Sequence, residues 1–219
     1  MIMIANLQYG WTLFVNPIKD QYHWATAAIQ VSFTTFVVIE TWLVPVEGYI
    51  IDRFGPTRIV IVGGILVGIS WVMFSMATSL WTFYIGSAIG GVGAGIVYGC
   101  SVGQALKWFP DRRGLASGLT AAGFGAGSAI TIVPIAQMIQ HNGYQQTFLV
   151  FGLIQGIVVV IIGLMLRAPL PGEVPAAVAS AIKRPRRRND ASPLAGSTTS
   201  MGTLAAILPL VAGEFDLSI

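Results

Sequence analysis

Residues 48–58 read GYIIDRFGPTR, a charged stop in an otherwise apolar chain. QVSFTTFVVIETWLVPV, 30–46, precedes it, and IVIVGGILVGISWVMF, 59–74, follows it. Crossing about 30 Å of hydrocarbon takes about 20 residues of helix. A helix is the expected form in lipid because it satisfies its own backbone hydrogen bonds. The stretch therefore reads as a short turn between two membrane-crossing helices. Gly55 permits a positive backbone dihedral in a tight turn. Pro56 suits the first turn of the next helix. Asp52 is expected near the partial positive charge of a helix N-terminus, and Arg53 and Arg58 hold the turn on one side of the bilayer.

The rest of the chain agrees. Of 219 residues, 54% are hydrophobic and 10% charged, against about 25% charged in soluble domains. That balance excludes an ordinary soluble domain and defines a polytopic, all-α membrane protein. Six spans are expected, near 2–18, 25–50, 57–78, 81–106, 113–139 and 145–168. The runs do not alternate as ten-residue barrel strands do. The domain plan is a six-span bundle over 1–168, a basic linker over 169–202, and an incomplete seventh span or unrelated tail over 203–219. The first run lacks a basic n-region and a small-residue cleavage site, so it reads as a first helix with a clipped start rather than a signal peptide.

Charge sets the orientation. Eleven of the twelve Lys and Arg residues fall in the connections after spans two, four and six, including Lys183, Arg184, Arg186, Arg187 and Arg188; Lys19 alone is opposite. The positive-inside rule puts the N-terminus and the basic connections in the cytoplasm, with the bundle in the plasma (inner) membrane. The 183–188 cluster reads as a topology signal rather than a nucleic-acid site, so no nucleic-acid partner is expected; the bilayer is one partner. Cys100 reads as a small core residue, and His23 and His141 are too isolated for a metal site. No nucleophile–base pair, metal cluster or cofactor motif appears, so neither an enzyme nor a bound cofactor is expected.

Glycines recur at four-residue spacing: Gly86 and Gly90, Gly91 and Gly95, Gly95 and Gly99, Gly99 and Gly103, Gly114 and Gly118. Small residues on one stripe let membrane helices approach closely. A phosphate loop would need a preceding strand.

Gly48-x-x-x-Asp52-Arg53-x-Gly55-x-x-Arg58 resembles the signature loop of the major facilitator superfamily. LQYGWTLFVNPI at 7–18, ETWLVPVEGYIIDRFGP at 40–56, GVGAGIVYG at 91–99 and KWFPDRRGLASGLTAAGFGAG at 107–127 are similar to its oxalate/formate antiporter branch. The resemblance covers roughly 4–172. It implies a secondary transporter exchanging small carboxylates such as oxalate and formate. Its loop Asp and basic residues act in the conformational change. Six spans and a basic linker match the N-terminal half of such a carrier, so a second six-helix half is the expected partner. The alternative is a non-transporting fragment or scaffold with a basic interaction loop.

Carrier sites lie near the bilayer midplane, and polar residues inside spans are the candidates. Span one offers Gln8, Tyr9 and Trp11, with Thr12 and Asn16; span two offers Gln30, Thr34 and Thr41; span four offers Tyr98. The resemblance points to Gln8, Tyr9, Gln30 and Tyr98 as pocket groups, whose amide and phenol donors can orient a carboxylate. The competing reading is interhelical polar contact. No Lys or Arg lies deeper in a span than its end, yet a buried anion needs a cation. The cation must come from a second half, or the substrate is not an anion. Glu40 lies about 18 Å of helix before Asp52, near midplane and about 80° from the Gln30 face. It reads either as a functional buried carboxyl able to take up a proton or as a structural hydrogen-bonding group. Glu47, on the same face, reads as support for the 48–58 turn.

Overall fold

The computed structural model describes residues 1–167. The 169–202 and 203–219 segments, with the basic cluster at 183–188, lie outside the described residues. Among the described residues seven α-helices follow one another: α1 (Ala5–Tyr9), α2 (Trp11–Tyr22), α3 (Thr26–Trp42), α4 (Val44–Phe54), α5 (Pro56–Ser75), α6 (Leu80–Trp108) and α7 (Arg113–Met165), with a 3₁₀ turn at Pro110–Arg112 before the last. No strand occurs among the described residues.

Among the described residues, three helical stretches are long and apolar enough to cross a membrane: Pro56–Ser75, Leu80–Trp108 and Pro110–Met165. The third contains 56 residues; drawn straight it would measure about 84 Å, far more than the bilayer needs. It folds back at Gly143, whose φ of 80° and ψ of 162° break the helix. Its first arm, 113–142, runs parallel to α1, with Gly127 against Ile2, Thr131 donating to Asn6 Oδ1, and Gly10 near Ile135. Its second arm, 144–165, runs the other way along α5, pairing Gly152 with Trp71, Gly156 with Gly68 and Gly163 with Val60.

The two earliest runs are interrupted, where the sequence reading drew each as one span. α1 passes into α2 through Gly10, which keeps a right-handed conformation (φ −86°, ψ −9°). α3 passes into α4 at Leu43 (φ −81°, ψ −11°), just before Pro45. A proline has no N–H to continue the ladder and crowds the carbonyl four residues back, so the helix breaks there.

An aromatic cluster joins α2, α5, α6 and α7. Phe14 stacks on Phe148 at 3.9 Å, Trp71 meets Phe148 edge-on at 5.4 Å, and Phe74 stacks on Phe83 at 5.4 Å. Glycines let the backbones close around it. A Cβ on Gly63 would lie 2.7 Å from Val97, one on Gly86 2.8 Å from Phe74, and one on Gly91 2.7 Å from the Phe36 carbonyl. Ser70 closes the α5–α6 contact by donating to the Gly86 carbonyl at 2.8 Å. Packing through small residues is thus realised on α5, α6, the second arm of α7 and, at Gly127, its first arm. It is not realised on Gly103, Gly114 or Gly118, where an added Cβ meets nothing within 4 Å; the expectation for those positions is corrected.

In the 48–58 stretch, Gly55 has φ 83° and Pro56 opens α5, as their chemistry requires. Asp52 belongs to the last turn of α4 rather than to the start of α5. Arg53 stays on its own helix, donating to the Tyr49 hydroxyl at 3.5 Å with its guanidinium 5.7 Å from the Phe54 ring. Gly48 and Arg58 are exposed.

Candidate functional site

Four helices line one cavity of about 350 Å³, three of them with polar side chains. Gln8 and Tyr9 come from the end of α1, Glu40 and Thr41 from the last turn of α3, Gly95 and Tyr98 from α6, and Ala121 and Phe124 from the first arm of α7. Local sequence explains the placement. Gln8 and Tyr9 precede the bend at Gly10, and Glu40 and Thr41 precede the break at Leu43. Gly95 and Tyr98, like Ala121 and Phe124, are three residues apart and so share a helix face. In each of these pairs a small residue leaves room beside an aromatic one.

Phe124 organises the aromatic wall. Tyr9 meets its ring at 5.5 Å and 65°, and Tyr98 at 5.4 Å and 82°, both edge-to-face. Such contacts orient both phenols without consuming their hydroxyls. Phe124 is buried, whereas Tyr9 is 49% exposed; Thr41 and Ala121 are exposed as well. The cavity is therefore open on one side. The lining offers an amide, two phenols, an alcohol and one carboxyl, and contains no Lys or Arg. It can donate several hydrogen bonds but supplies no positive charge.

Of the residues singled out from sequence, Gln8, Tyr9, Tyr98, Glu40 and Thr41 meet here. Trp11 and Gln30 do not line the cavity. The Trp11 indole donates to Gln30 Oε1 at 3.2 Å, joining α2 to α3, and Trp11 is 3% exposed. This is the interhelical contact weighed as the alternative for Gln30. Thr12 and Asn16 are exposed, and Thr34 donates back to the Gln30 carbonyl at 3.2 Å. Phe124, Ala121 and Gly95 were not anticipated. An apolar aromatic in a glycine-rich run carries no chemical signal; only the crossing of the first arm of α7 with α1 and α6 reveals it.

A helical bundle with apolar crossing helices and an open, mixed-polarity cavity between four of them defines a multi-pass membrane protein of the carrier kind. The chain belongs to the Major Facilitator Superfamily, whose family model matches residues 1–219. Proteins of this family are carriers rather than enzymes. An oxalate:formate antiporter of Oxalobacter formigenes is 40% identical over 169 residues, 77% of this chain and 40% of the relative. A 38 kDa protein of Thermoproteus tenax is 30% identical over 74% of this chain and 43% of its own length. Human monocarboxylate transporter 11 is 30% identical over 60% of this chain and 28% of its own length. The chain thus spans about two-fifths of the length of the first two relatives.

Proposed function

We propose that this chain forms one wall of a secondary carrier for small carboxylates, with oxalate and formate as the first candidates. The supporting observation is the convergence of Gln8, Tyr9, Tyr98 and Glu40 on one open cavity. Donors from Gln8 and the two phenols orient a carboxylate; Phe124 fixes the phenols. The identity shared with the oxalate:formate antiporter favours that substrate class.

In this reading the chain makes six passes of a plasma (inner) membrane. The interrupted α1–α2 and α3–α4 runs each cross once, and the two arms of α7 once each. The N-terminus and the basic connections are cytoplasmic, by the charge asymmetry. The 48–58 turn takes part in switching between inward and outward states. A second six-helix half faces the open side of the cavity and brings the cation that the lining lacks, because an unpaired anion in a low-dielectric site is costly. Glu40 adds a constraint. Its ionised form repels a carboxylate, so a proton on Glu40 accompanies the substrate.

The test is counterflow of labelled oxalate in proteoliposomes, with the chain alone and with a matching second half. The proposal expects saturable exchange only with both, and loss of it in Tyr9→Ala. Exchange by the chain alone removes the need for an outside cation. No exchange with a properly inserted second half removes the carrier reading.

A further inference from the structure

The cavity between α1, α3, α6 and the first arm of α7 holds a charge that the carrier reading leaves without a partner whenever no cargo is bound. Glu40 is the one carboxyl among its described lining residues, and none of them is Lys or Arg. The residue is partly buried in a bundle of apolar helices, where an ionised group without a counter-charge is costly. A proton removes that charge and needs nothing more than the carboxyl itself. The lining offers more than a proton uses.

Each polar side chain of the lining can present an oxygen: the amide of Gln8, the hydroxyls of Tyr9, Thr41 and Tyr98, and the carboxylate. A backbone oxygen joins them. In an unbroken helix the Thr41 carbonyl accepts from the N–H four residues on. That residue is Pro45, which has no N–H to give. The break after α3 thus takes the helical donor from a carbonyl of the same residue whose side chain lines the cavity. Thr41 brings its hydroxyl and this carbonyl directly beside Glu40 in the chain. Hard cations are held by oxygens of carboxylates, carbonyls and water, and broken membrane helices bind alkali ions through carbonyls that have left the helical ladder. The lining has no thiolate or imidazole for a softer metal. Charge sets the valence: one carboxylate balances one positive charge and leaves a divalent ion half-compensated.

We propose that the cavity, when free of cargo, binds one alkali-metal cation on the Glu40 carboxylate, the Thr41 hydroxyl and carbonyl and the Gln8 amide oxygen, with water completing the shell from the open side. The site is argued from the lining alone and does not rest on the carrier reading. Within that reading, the metal ion and the proton on Glu40 alternate. The proton is present with the carboxylate, and the metal ion holds the same carboxyl when the carboxylate has left.

The test is equilibrium binding of radioactive sodium to the purified 219-residue chain in lipid nanodiscs, with no carboxylate present. The proposal expects saturable binding of a single ion per chain, displaced by unlabelled sodium and not by choline. Glu40→Gln keeps the shape, removes the charge and is expected to abolish binding. Thr41→Val removes one oxygen and is expected to weaken it by about tenfold or more. Pro45→Ala returns an N–H to the Thr41 carbonyl and is expected to weaken it as well. Should any of these not elute as a single folded species, Thr41→Ser decides, because it keeps both Thr41 oxygens and must bind as the parent does. Absence of saturable binding by the parent chain overturns the proposal, as does binding that survives Glu40→Gln or is lost in Thr41→Ser. Displacement by magnesium at lower concentration than by sodium also overturns it, because the site is then divalent. Sodium binding by a chain whose two-half carrier exchanges no oxalate leaves this inference standing and removes the carrier reading alone; oxalate exchange without sodium binding does the reverse.

Discussion

Both arms of α7 set glycine among large apolar residues, and they use it differently. On the second arm every glycine of the α5 seam is used. A Cβ on Gly152 would enter Trp71, and one on Gly156 would lie 3.2 Å from Gly68 and 3.3 Å from the Gly64 carbonyl. On the first arm Gly127 closes on the Ile2 backbone, whereas Gly114, Gly118 and Gly125 meet nothing within 4 Å. The second arm is fastened to α5 through its glycines, and the first, held at Gly127 and Thr131, carries one side of the open cavity. Glycine in a membrane helix therefore signals the capacity for close approach, and the partner decides whether that capacity is used.

The contrast can be broken most forcefully at Gly152. Gly152→Ala is expected to cost about 1–3 kcal/mol or more through overpacking against Trp71. A lowered midpoint in a thermal size-exclusion assay checks it, and an unchanged midpoint dissolves the distinction between the arms. Next comes the cavity beside the first arm. Gln8→Ala removes a donor to a charged ligand, worth about 1.5–3 kcal/mol, and is expected to lower the apparent oxalate affinity by about 10- to 100-fold in a reconstituted two-half carrier, with the thermal midpoint unchanged. Glu40→Gln in the same assay is expected to give uptake that depends less on the pH of the medium than the parent's; a profile parallel to the parent's removes Glu40 from coupling. The Trp11–Gln30 pair sharpens the boundary of the site. Gln30→Ala is expected to cost about 1 kcal/mol of stability and to leave substrate affinity alone, and a large affinity change returns Gln30 to the pocket. Smallest is Gly118→Ala on the first arm, expected to be neutral or to stabilise by up to about 1 kcal/mol through helix propensity.

Much of this was legible where the chemistry is local. Gly55 and Pro56 declare a turn because few other residues adopt that backbone, and the polar residues Gln8, Tyr9, Tyr98 and Glu40 stand out in an apolar run. What escaped the sequence depends on partners. Helical arithmetic put Gln30 on a polar face, but nothing within span two says that a tryptophan indole waits across the interface. Phe124 is chemically silent until Tyr9 and Tyr98 are seen to lean on it. The spacing of Gly114 and Gly118 matches that of Gly86 and Gly90, yet only the latter pair has a neighbour close enough to need it. Asp52 was misplaced by about one turn because the helix before Gly55 persists to Phe54.

The seam between α5 and the second arm of α7 also has a history in time. It is fastened at its end by Thr57 donating to the Leu166 carbonyl, a contact spanning 109 residues of chain, beside the Trp108 indole on the Arg167 carbonyl at 3.2 Å. The α5–α6 contact, by contrast, joins residues as few as 16 apart at Ser70 and Gly86. As the chain is made, α6 reaches α5 early, whereas the glycine face of α5 waits until the residues beyond Gly143 arrive. A helix that lingers unpaired in this way shows its surroundings a bare strip of backbone. The last contacts that this bundle can make are set by the order of its sequence.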